Sequence, residues 1–221
     1  MPVNEFWISD THLGHDAIIL KMGRGYFSSI EEHDGSIIEG INSTVGVRDR
    51  LWIQGDFSWH GKAQKYRGQI RCKNIGFVIG NHDKPDEIRK AFGMFFVDRL
   101  VRKFGPNGEP LVMYHYPIMF WDRSHRNGFH TYGHMHTNQE ALMDYLFPER
   151  RSMEVSVDAA KQRFGVVKPF SKADILEHLG GRKGHDPIEY YEQLNNYHAA
   201  ARGGSLDLYL QQRPRNELSA R

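Results

Sequence analysis

The chain has 221 residues, of which 39% are hydrophobic and 25% are charged, so it can bury a core and global disorder is not expected. Its formal net charge of +2 argues neither for nor against a nucleic-acid partner, because phosphate binding depends on how charges cluster. The single cysteine, Cys72, excludes an intrachain disulfide and a thiolate-rich zinc site. With no long apolar stretch and no secretory signal, we expect a cytoplasmic protein with no membrane association.

The first half of the chain alternates strand-like and helix-like segments. Apolar runs that end in polar turns predict strands at 3–9, 51–54 and 75–79. A capping box at Ser28 or Ser29 and isoleucines at helical spacing predict a helix to about residue 42. Further helices are expected at 62–71 and from Pro85 onward. This alternation predicts an α/β architecture whose sheet is covered on both faces.

The second half changes character. A glycine- and proline-rich turn between 100–104 and 111–114 predicts a hairpin. Further strands are expected at 131–132 and 154–157, and a helix is expected at 173–179. Glycines after residue 179 divide a domain, 1–179, from an appendage, 180–221, whose final residues are expected to be disordered. A helix that begins near Pro187 carries one apolar face, which predicts either docking onto the domain or a homo-oligomer: Ile188, Tyr191, Leu194 and Tyr197.

Five small polar clusters each follow a strand-like run. Active sites of α/β sheets collect at the carboxyl ends of strands, so clusters that are distant in sequence are expected to converge. Each cluster alone has an ordinary explanation, such as a turn, a helix cap or a buried histidine. Together they favour a metal site, since Asp, Asn and His supply the oxygen and nitrogen donors of Zn, Mn, Fe, Co and Ni. The clusters are Asp10-x-His12, Gly55-Asp56, Gly80-Asn81-His82-Asp83, His115 and Gly133-His134-x-His136.

This order of motifs resembles the calcineurin-like metallophosphoesterases, whose signature is D-x-H, G-D, G-N-H-[DE], a lone H and G-H-x-H. The similarity covers roughly residues 3–178 and includes every block of the signature. It implies an α/β (α+β) fold, a four-layer αββα sandwich of two mixed β-sheets flanked by helices. It also implies a phosphoester hydrolase in which a metal-bridging hydroxide attacks phosphorus.

The resemblance further implies two divalent metal ions, with Mn expected first and Fe, Zn, Ni or Co as alternatives. One ion would be held by Asp10, His12, Asp56 and His136, and the other by Asp56, Asn81, His115 and His134, so that Asp56 bridges. His82 matches the catalytic histidine that faces the phosphate and the leaving group without binding metal. Asp83 is expected to orient His82.

The sequence departs from the protein phosphatases of this superfamily, because it lacks the D-R-G that follows their second motif. A small phosphodiester, such as a nucleotide, is therefore the expected substrate. A phosphomonoesterase, a nuclease and a catalytically silent scaffold are the alternatives. Nucleic acid is not expected as a partner, since no extended basic or aromatic tract accompanies the motifs.

Several residues outside the signature are candidates for substrate binding. They lie close to the motifs in sequence or interleave an aromatic ring with cations, as a nucleotide base and phosphate would require. Each also has an ordinary explanation as a solvated or packed side chain. The candidates are His15, Arg24, Trp121, Arg123 and Arg126.

Overall fold

The structure is a computed structural model that describes residues 3–93, 96–184 and 187–202, without the side chains of 96, 187–190 and 193–194. Its strands in chain order are β1 (Glu5–Ile8), β2 (Arg50–Gln54), β3 (Asn74–Val78), β4 (Phe96–Val97), β5 (Arg99–Lys103), β6 (Pro110–Tyr114), β7 (Phe129–Tyr132), β8 (Ser152–Glu154) and β9 (Phe170–Ser171). They form a five-stranded sheet, β4-β3-β2-β1-β9, and a four-stranded sheet, β5-β6-β7-β8.

Both sheets are mixed. In the first, β1 to β4 run parallel and β9 pairs antiparallel to β1; in the second, β5 and β6 are antiparallel while β6, β7 and β8 are parallel. The helices are α1 (Ile18–Lys21), α2 (Ile30–Thr44), α3 (Ala63–Arg67), α4 (Pro85–Phe92), α5 (Glu140–Leu146), α6 (Val157–Phe164), α7 (Lys172–Leu179) and α8 (Pro187–Arg202). Within the described ranges, none of them has the length and apolarity that a bilayer span requires.

The strand alternation divides the core into layers. Ile8, Leu51 and Ile53 face one way and pack with buried residues of α2, α3 and α4. Trp7 and Trp52 point to the opposite face and pack against the second sheet. On the far side of that sheet, α5 forms a smaller apolar cluster. This arrangement confirms the predicted α/β sandwich of two face-to-face sheets with helices outside.

Most of the predicted strands and helices are present, one predicted strand needs correction, and several elements were not predicted. The hairpin is confirmed, since β5 and β6 pair antiparallel over their full length. The predicted strand at 154–157 is wrong in its second half: β8 ends at Glu154, and α6 begins at Val157 because the Ser156 side chain accepts a hydrogen bond from the Ala159 amide at 3.0 Å. Helices α5 and α6 were not predicted from the sequence.

The segment after α7 is attached to the domain through arginines. Arg182 donates to the Asp144 carboxylate at 2.8 Å and to the Arg150 carbonyl at 3.0 Å, while Arg151 donates to the Gly180 carbonyl at 2.9 Å. Tyr197 of α8 packs against the cluster of α5. Tyr191 of the same predicted face is largely exposed, with its ring 6.0 Å from that of Phe120. The side chains of the remaining two positions, Ile188 and Leu194, and the tail from residue 203 onward lie outside the described residues.

Replacing Gly76 of β3 with alanine tests the packing between the sheets. A Cβ at this position would lie 2.0 Å from the Trp52 ring, so Gly76→Ala should lower the free energy of unfolding by about 1–3 kcal/mol. The control is Gly35→Ala on the exposed face of α2, where a Cβ meets nothing within 4 Å and should stabilise the protein by about 0.5–1 kcal/mol. Urea unfolding of both variants measures the difference; equal stabilities would contradict this packing.

Candidate metal centre

The polar clusters lie at the carboxyl ends of strands from both sheets, and the sandwich brings them to one edge. Asp10, Asp56 and Asn81 follow the parallel strands β1, β2 and β3; His115 and His134 follow β6 and β7. The turns are connected through their backbones, since the Asp10 amide donates to the Gly55 carbonyl at 3.1 Å and the His12 amide to the Asp56 carbonyl at 2.9 Å. Both sheets therefore contribute donors to a single site.

Two groups of three donors result. Asp10, His12 and His136 each place one ligand atom within 4.8 Å of the others, and all three are buried. The ligand atoms of Asp56, His115 and His134 also lie within 4.8 Å of one another; Asp56 and His115 are buried and His134 is half-buried. The groups are linked, because the His134 amide donates to the Asp10 carboxylate at 3.0 Å.

Asn81 belongs with the second group. Its side-chain oxygen lies 3.1 Å from His115 Nε2 and 3.0 Å from His134 Nδ1. The amide oxygen thus faces the same small space as the two imidazoles. Such a space, enclosed by imidazole nitrogens and an amide oxygen, is suited to a divalent cation.

Asp56 lies between the two groups. Its Oδ1 accepts the His82 amide at 2.9 Å, while Oδ2 lies 3.6 Å from His12 Nε2 and 3.5 Å from His115 Nε2. Two ligands that bind one tetrahedral ion at 2.0–2.1 Å are about 3.4 Å apart, so each spacing fits a shared ion. One carboxylate oxygen can therefore contact an ion in each group.

The histidine tautomers also fit metal binding. His115 Nδ1 lies 2.9 Å from the Gln54 carbonyl and His136 Nδ1 lies 2.7 Å from the Asp158 carboxylate, which leaves Nε2 of each ring directed to the donors. This is how histidine ligands are held in metal sites. Among the residues that the structure describes, the buried His12 Nε2 has no hydrogen-bond partner, and a bound cation would remove the cost of leaving it unpaired.

The charges and the burial of the site residues favour binding of a cation. Burial lowers the pKa of His12 to about 2, so its imidazole is neutral. Burial also acts to lower the pKa of His115, but the Asp56 and Asp10 carboxylates outweigh it and raise that pKa to about 9. Burial raises the pKa of Asp10. Without metal, a proton on His115 compensates Asp56; a cation would take the place of that proton.

Five of the candidate ligands have an unusual backbone conformation. Each has a positive φ, in the left-handed region that side chains other than glycine rarely adopt. A residue held there costs on the order of 1 kcal/mol or more, and such residues are concentrated at functional sites. The five φ values are 53° at Asp10, 44° at His12, 53° at Asp56, 73° at His134 and 49° at His136.

Asp83 supports the turn that carries Asp56. Its carboxylate accepts the amides of Asp56 and Gly80 at 2.8 Å and that of Phe57 at 3.0 Å. Burial raises the pKa of Asp83 to about 7, against the effect of these amides. The expectation that Asp83 orients the His82 ring is corrected: the carboxylate positions the Asp56 backbone.

His82 and His15 lie at the edge of the donor groups. The half-buried His82 ring has its centroid 5.4 Å from that of His12. His15 stacks on Trp59 at 3.8 Å, and its Nδ1 lies 3.5 Å from His12 Nδ1. The Trp59 ring lies 6.0 Å from that of His82, so it borders the site, although the sequence motifs did not indicate it.

Arg24 does not reach the space between the donor groups. It is fully buried, forms two hydrogen bonds to Asp158 at 2.9 and 2.7 Å, and donates to the Asp10 carbonyl at 2.7 Å. The expectation that it binds a substrate phosphate is therefore wrong. Arg24 instead connects the segment that carries His136 to the turn that carries Asp10, through the Asp158 carboxylate.

In the loop after His115, one of the three candidates for substrate binding does not have the expected exposure. Trp121 is buried and its indole nitrogen donates to the Gly128 carbonyl at 3.0 Å, so it is not an exposed stacking surface for a base. Arg123 and Arg126 are exposed beside it, and their role in substrate binding remains a prediction.

Replacing Asp158 tests its part in holding His136. Asp158→Asn keeps the shape but weakens the acceptor for His136 Nδ1, so the affinity for Mn²⁺ should fall by about 10- to 100-fold at one of two sites. Calorimetric titration of the metal-free protein measures both affinities. The control is Asp174→Asn, which disturbs the capping box of α7 and should leave metal binding unchanged. Unaltered Mn²⁺ affinity in Asp158→Asn would contradict this role.

Comparison with known proteins supports the fold and places the chain in a family. No family model matches it. In structure it is similar to a protein of unknown function from Aquifex aeolicus, AQ665, with a TM-score of 0.61 and 23% identity over 80% of this chain and 99% of that one. A single mutant of Vps29 from Entamoeba histolytica is 17% identical and covers 61% of this chain and 66% of that chain. Its TM-score of 0.34 is too low to support a shared fold.

Two relatives are similar in sequence. The Gene 66 protein of Mycobacterium phage L5 is 30% identical over 95 residues, which are 39% of this chain and 43% of the phage protein. The uncharacterized protein MJ1445 of Methanocaldococcus jannaschii is 32% identical over 156 residues, which are 69% of this chain and 81% of MJ1445. The chain therefore belongs to the same family as MJ1445.

Proposed function

We propose that the protein is a dinuclear metal-dependent phosphoester hydrolase that prefers small phosphodiesters. The observation that carries this proposal is the position of Asp56 Oδ2, within 3.6 Å of imidazole nitrogens from both donor groups. A shared carboxylate between two cation sites is the arrangement that holds two metal ions close together. The order of the motifs, which resembles the calcineurin-like metallophosphoesterases, supports the same conclusion.

The donor set supports hard or borderline divalent cations over thiophilic ones. It offers imidazole nitrogens and carboxylate or amide oxygens, and the chain's only cysteine, Cys72, is buried in the cluster beneath α2 to α4. We expect Mn²⁺ first, with Fe, Zn, Ni and Co as alternatives. When bound, two such ions would neutralise phosphate oxygens and make water a competent nucleophile near neutral pH.

The protein's own residues would then do three things. Asp10, Asp56 and the surrounding imidazoles would hold the cations at the junction of the two sheets, and so would set where a phosphoryl group can bind. His82, whose amide is fixed to Asp56 Oδ1, places an imidazole beside this position, where an imidazole N–H can stabilise or protonate the departing oxygen. Asp83, Asp158 and Arg24 keep the turns in place through buried hydrogen bonds.

The preference for a diester follows from charge. A phosphodiester carries one negative charge, whereas a monoester carries up to two. Arg24, a candidate phosphate ligand from the sequence, is paired with Asp158 and supplies no positive charge to the substrate. The sequence also lacks the arginine that follows the second motif in the protein phosphatases.

Hydrolysis of two chromogenic esters tests the reaction. With added Mn²⁺, bis(p-nitrophenyl) phosphate should be cleaved with a higher kcat/KM than p-nitrophenyl phosphate, and removal of metal by a chelator should abolish both activities. A strong preference for the monoester would overturn the choice of diester. Absence of turnover with every divalent cation tried would refute the hydrolase and favour the silent scaffold.

Two substitutions separate metal binding from proton donation. Asp56→Asn should lose metal and activity together, because the shared ligand is weakened. His82→Ala should retain two metals by elemental analysis but lose about 10²- to 10⁴-fold in kcat, the usual contribution of a general acid. His198→Ala, on the exposed surface of α8, is the matched control and should behave as wild type. Loss of metal from His82→Ala would show that His82 is a ligand.

A further inference from the structure

An apolar cavity is lined by residues from the segments that carry candidate metal ligands, and neither the motifs nor the proposed chemistry uses it. It has a volume of about 330 Å³ and lies between the loop that follows β6, the start of α5 and the outer face of the second sheet. We call it the methionine pocket, after Met119, Met135 and Met143, which line it together with Leu142, Leu146 and Phe147.

Two walls of the methionine pocket are continuous with the segments that carry metal-site donors. Met135 lies between His134 and His136 in sequence, and Pro117, another lining residue, comes two residues after His115. The intervening Tyr116 ring lies 4.8 Å from the His134 ring. The pocket and the donor groups therefore share two chain segments, which is the basis for relating a group bound in the pocket to a phosphoryl group at the metal centre.

The charge at the floor of the methionine pocket is balanced by hydrogen-bonded partners within the protein. Arg150 is buried there and donates to Ser152 and the Tyr132 hydroxyl at 2.8 Å and to Glu140 at 2.9 Å. Burial acts to lower the pKa of Arg150, but its anionic and phenolic partners outweigh this effect. The charge is thus matched within the protein, which leaves an apolar cavity rather than an anion site.

The lining favours a flat aromatic occupant. Methionine sulfur makes favourable contacts with aromatic rings, and flexible methionines adapt to rings of different shape. The volume is at the lower end for ligand pockets, which suits one ring system rather than several acyl chains. Gln139, an exposed amide in the lining, can bond to the polar edge of a base.

We propose that the methionine pocket binds the nucleobase of a nucleotide diester whose phosphate lies at the metal centre. This inference rests on the proposed function and deepens it by assigning the substrate class. The base would occupy the pocket between α5 and the loop after β6, and the sugar would extend past Met135 to the donors. The exposed rim residues Met119 and Leu142 would be covered by the bound ligand.

A binding experiment without phosphate or metal tests the pocket by itself. In protein labelled with ¹³C at the methionine methyl groups, thymidine should shift the signals of Met119, Met135 and Met143. Met22, at the end of α1, and Met153, buried between the sheets, serve as internal controls and should not move. No shift at the three pocket methyls, or shifts with octanoate but none with thymidine, would overturn the proposal.

A kinetic experiment tests whether the base contributes to turnover. Thymidine 5′-(p-nitrophenyl phosphate) and methyl p-nitrophenyl phosphate have the same leaving group and differ only in the nucleoside. The wild type should prefer the nucleoside ester in kcat/KM by at least about tenfold, the range that filling an apolar pocket gives. Equal kcat/KM values for the two esters would overturn the assignment.

Variants that fill the pocket complete the test. Met143→Trp, and Met119→Trp at the exposed rim where folding is less at risk, should lower kcat/KM for the nucleoside ester more than for the methyl ester, and so reduce this preference. Met22→Trp is the matched control. Equal losses on both esters would show a general structural effect and contradict a base-binding role. If neither ester is cleaved by the wild type, the hydrolase proposal fails, and the methionine signals still decide the pocket.

Discussion

The carboxylate of Asp56 is held in a position that determines what the surrounding site can do. One of its oxygens is fixed by the His82 amide, and the other is buried between His12 and His115. A buried carboxylate needs positive charge or hydrogen-bond donors close to it. Here the neighbours are imidazoles whose far nitrogens are anchored elsewhere, so the most complete compensation comes from cations placed on either side.

The rest of the fold can be understood as support for this position. Asp83 gathers three amides at the start of the Asp56 turn, and the Arg24–Asp158 pair ties the segments of Asp10 and His136 together. These buried contacts offset the cost of the left-handed backbone at five candidate ligands. Because the donors come from strands of both sheets, packing of Trp7 and Trp52 between the sheets also maintains the spacing of the two groups.

Much of the fold and of the donor set could be predicted from the sequence, because both leave local patterns. Buried strands such as β2 and β3 are short apolar runs, and the donors follow them at glycine-marked turns. The helices α5 and α6 were missed because they are only seven and eight residues long, too short to show a clear helical period; α5 has no side-chain N-cap, and the Ser156 cap of α6 directly follows an apolar run that resembles a strand. The direction of a side chain leaves no such pattern.

The side-chain directions of Arg24 and Trp121 could not be predicted for this reason, and the role of Asp158 was missed for the same reason. A glycine-flanked arginine in a loop is equally compatible with solvent, with phosphate and with a buried carboxylate 134 residues away, and only tertiary packing selected the last. Asp158 stands in no motif, yet it orients His136. Likewise, the methionine pocket arises from segments that are separate in sequence, so no single stretch could have indicated it.

Anomalous X-ray diffraction at the manganese edge, from crystals grown with Mn²⁺, tests the central claim most directly. The account predicts two peaks about 3.5–4 Å apart, one beside Asp10, His12 and His136 and the other beside Asn81, His115 and His134, with Asp56 in contact with both. A single peak, or two peaks of which neither touches Asp56, would contradict it.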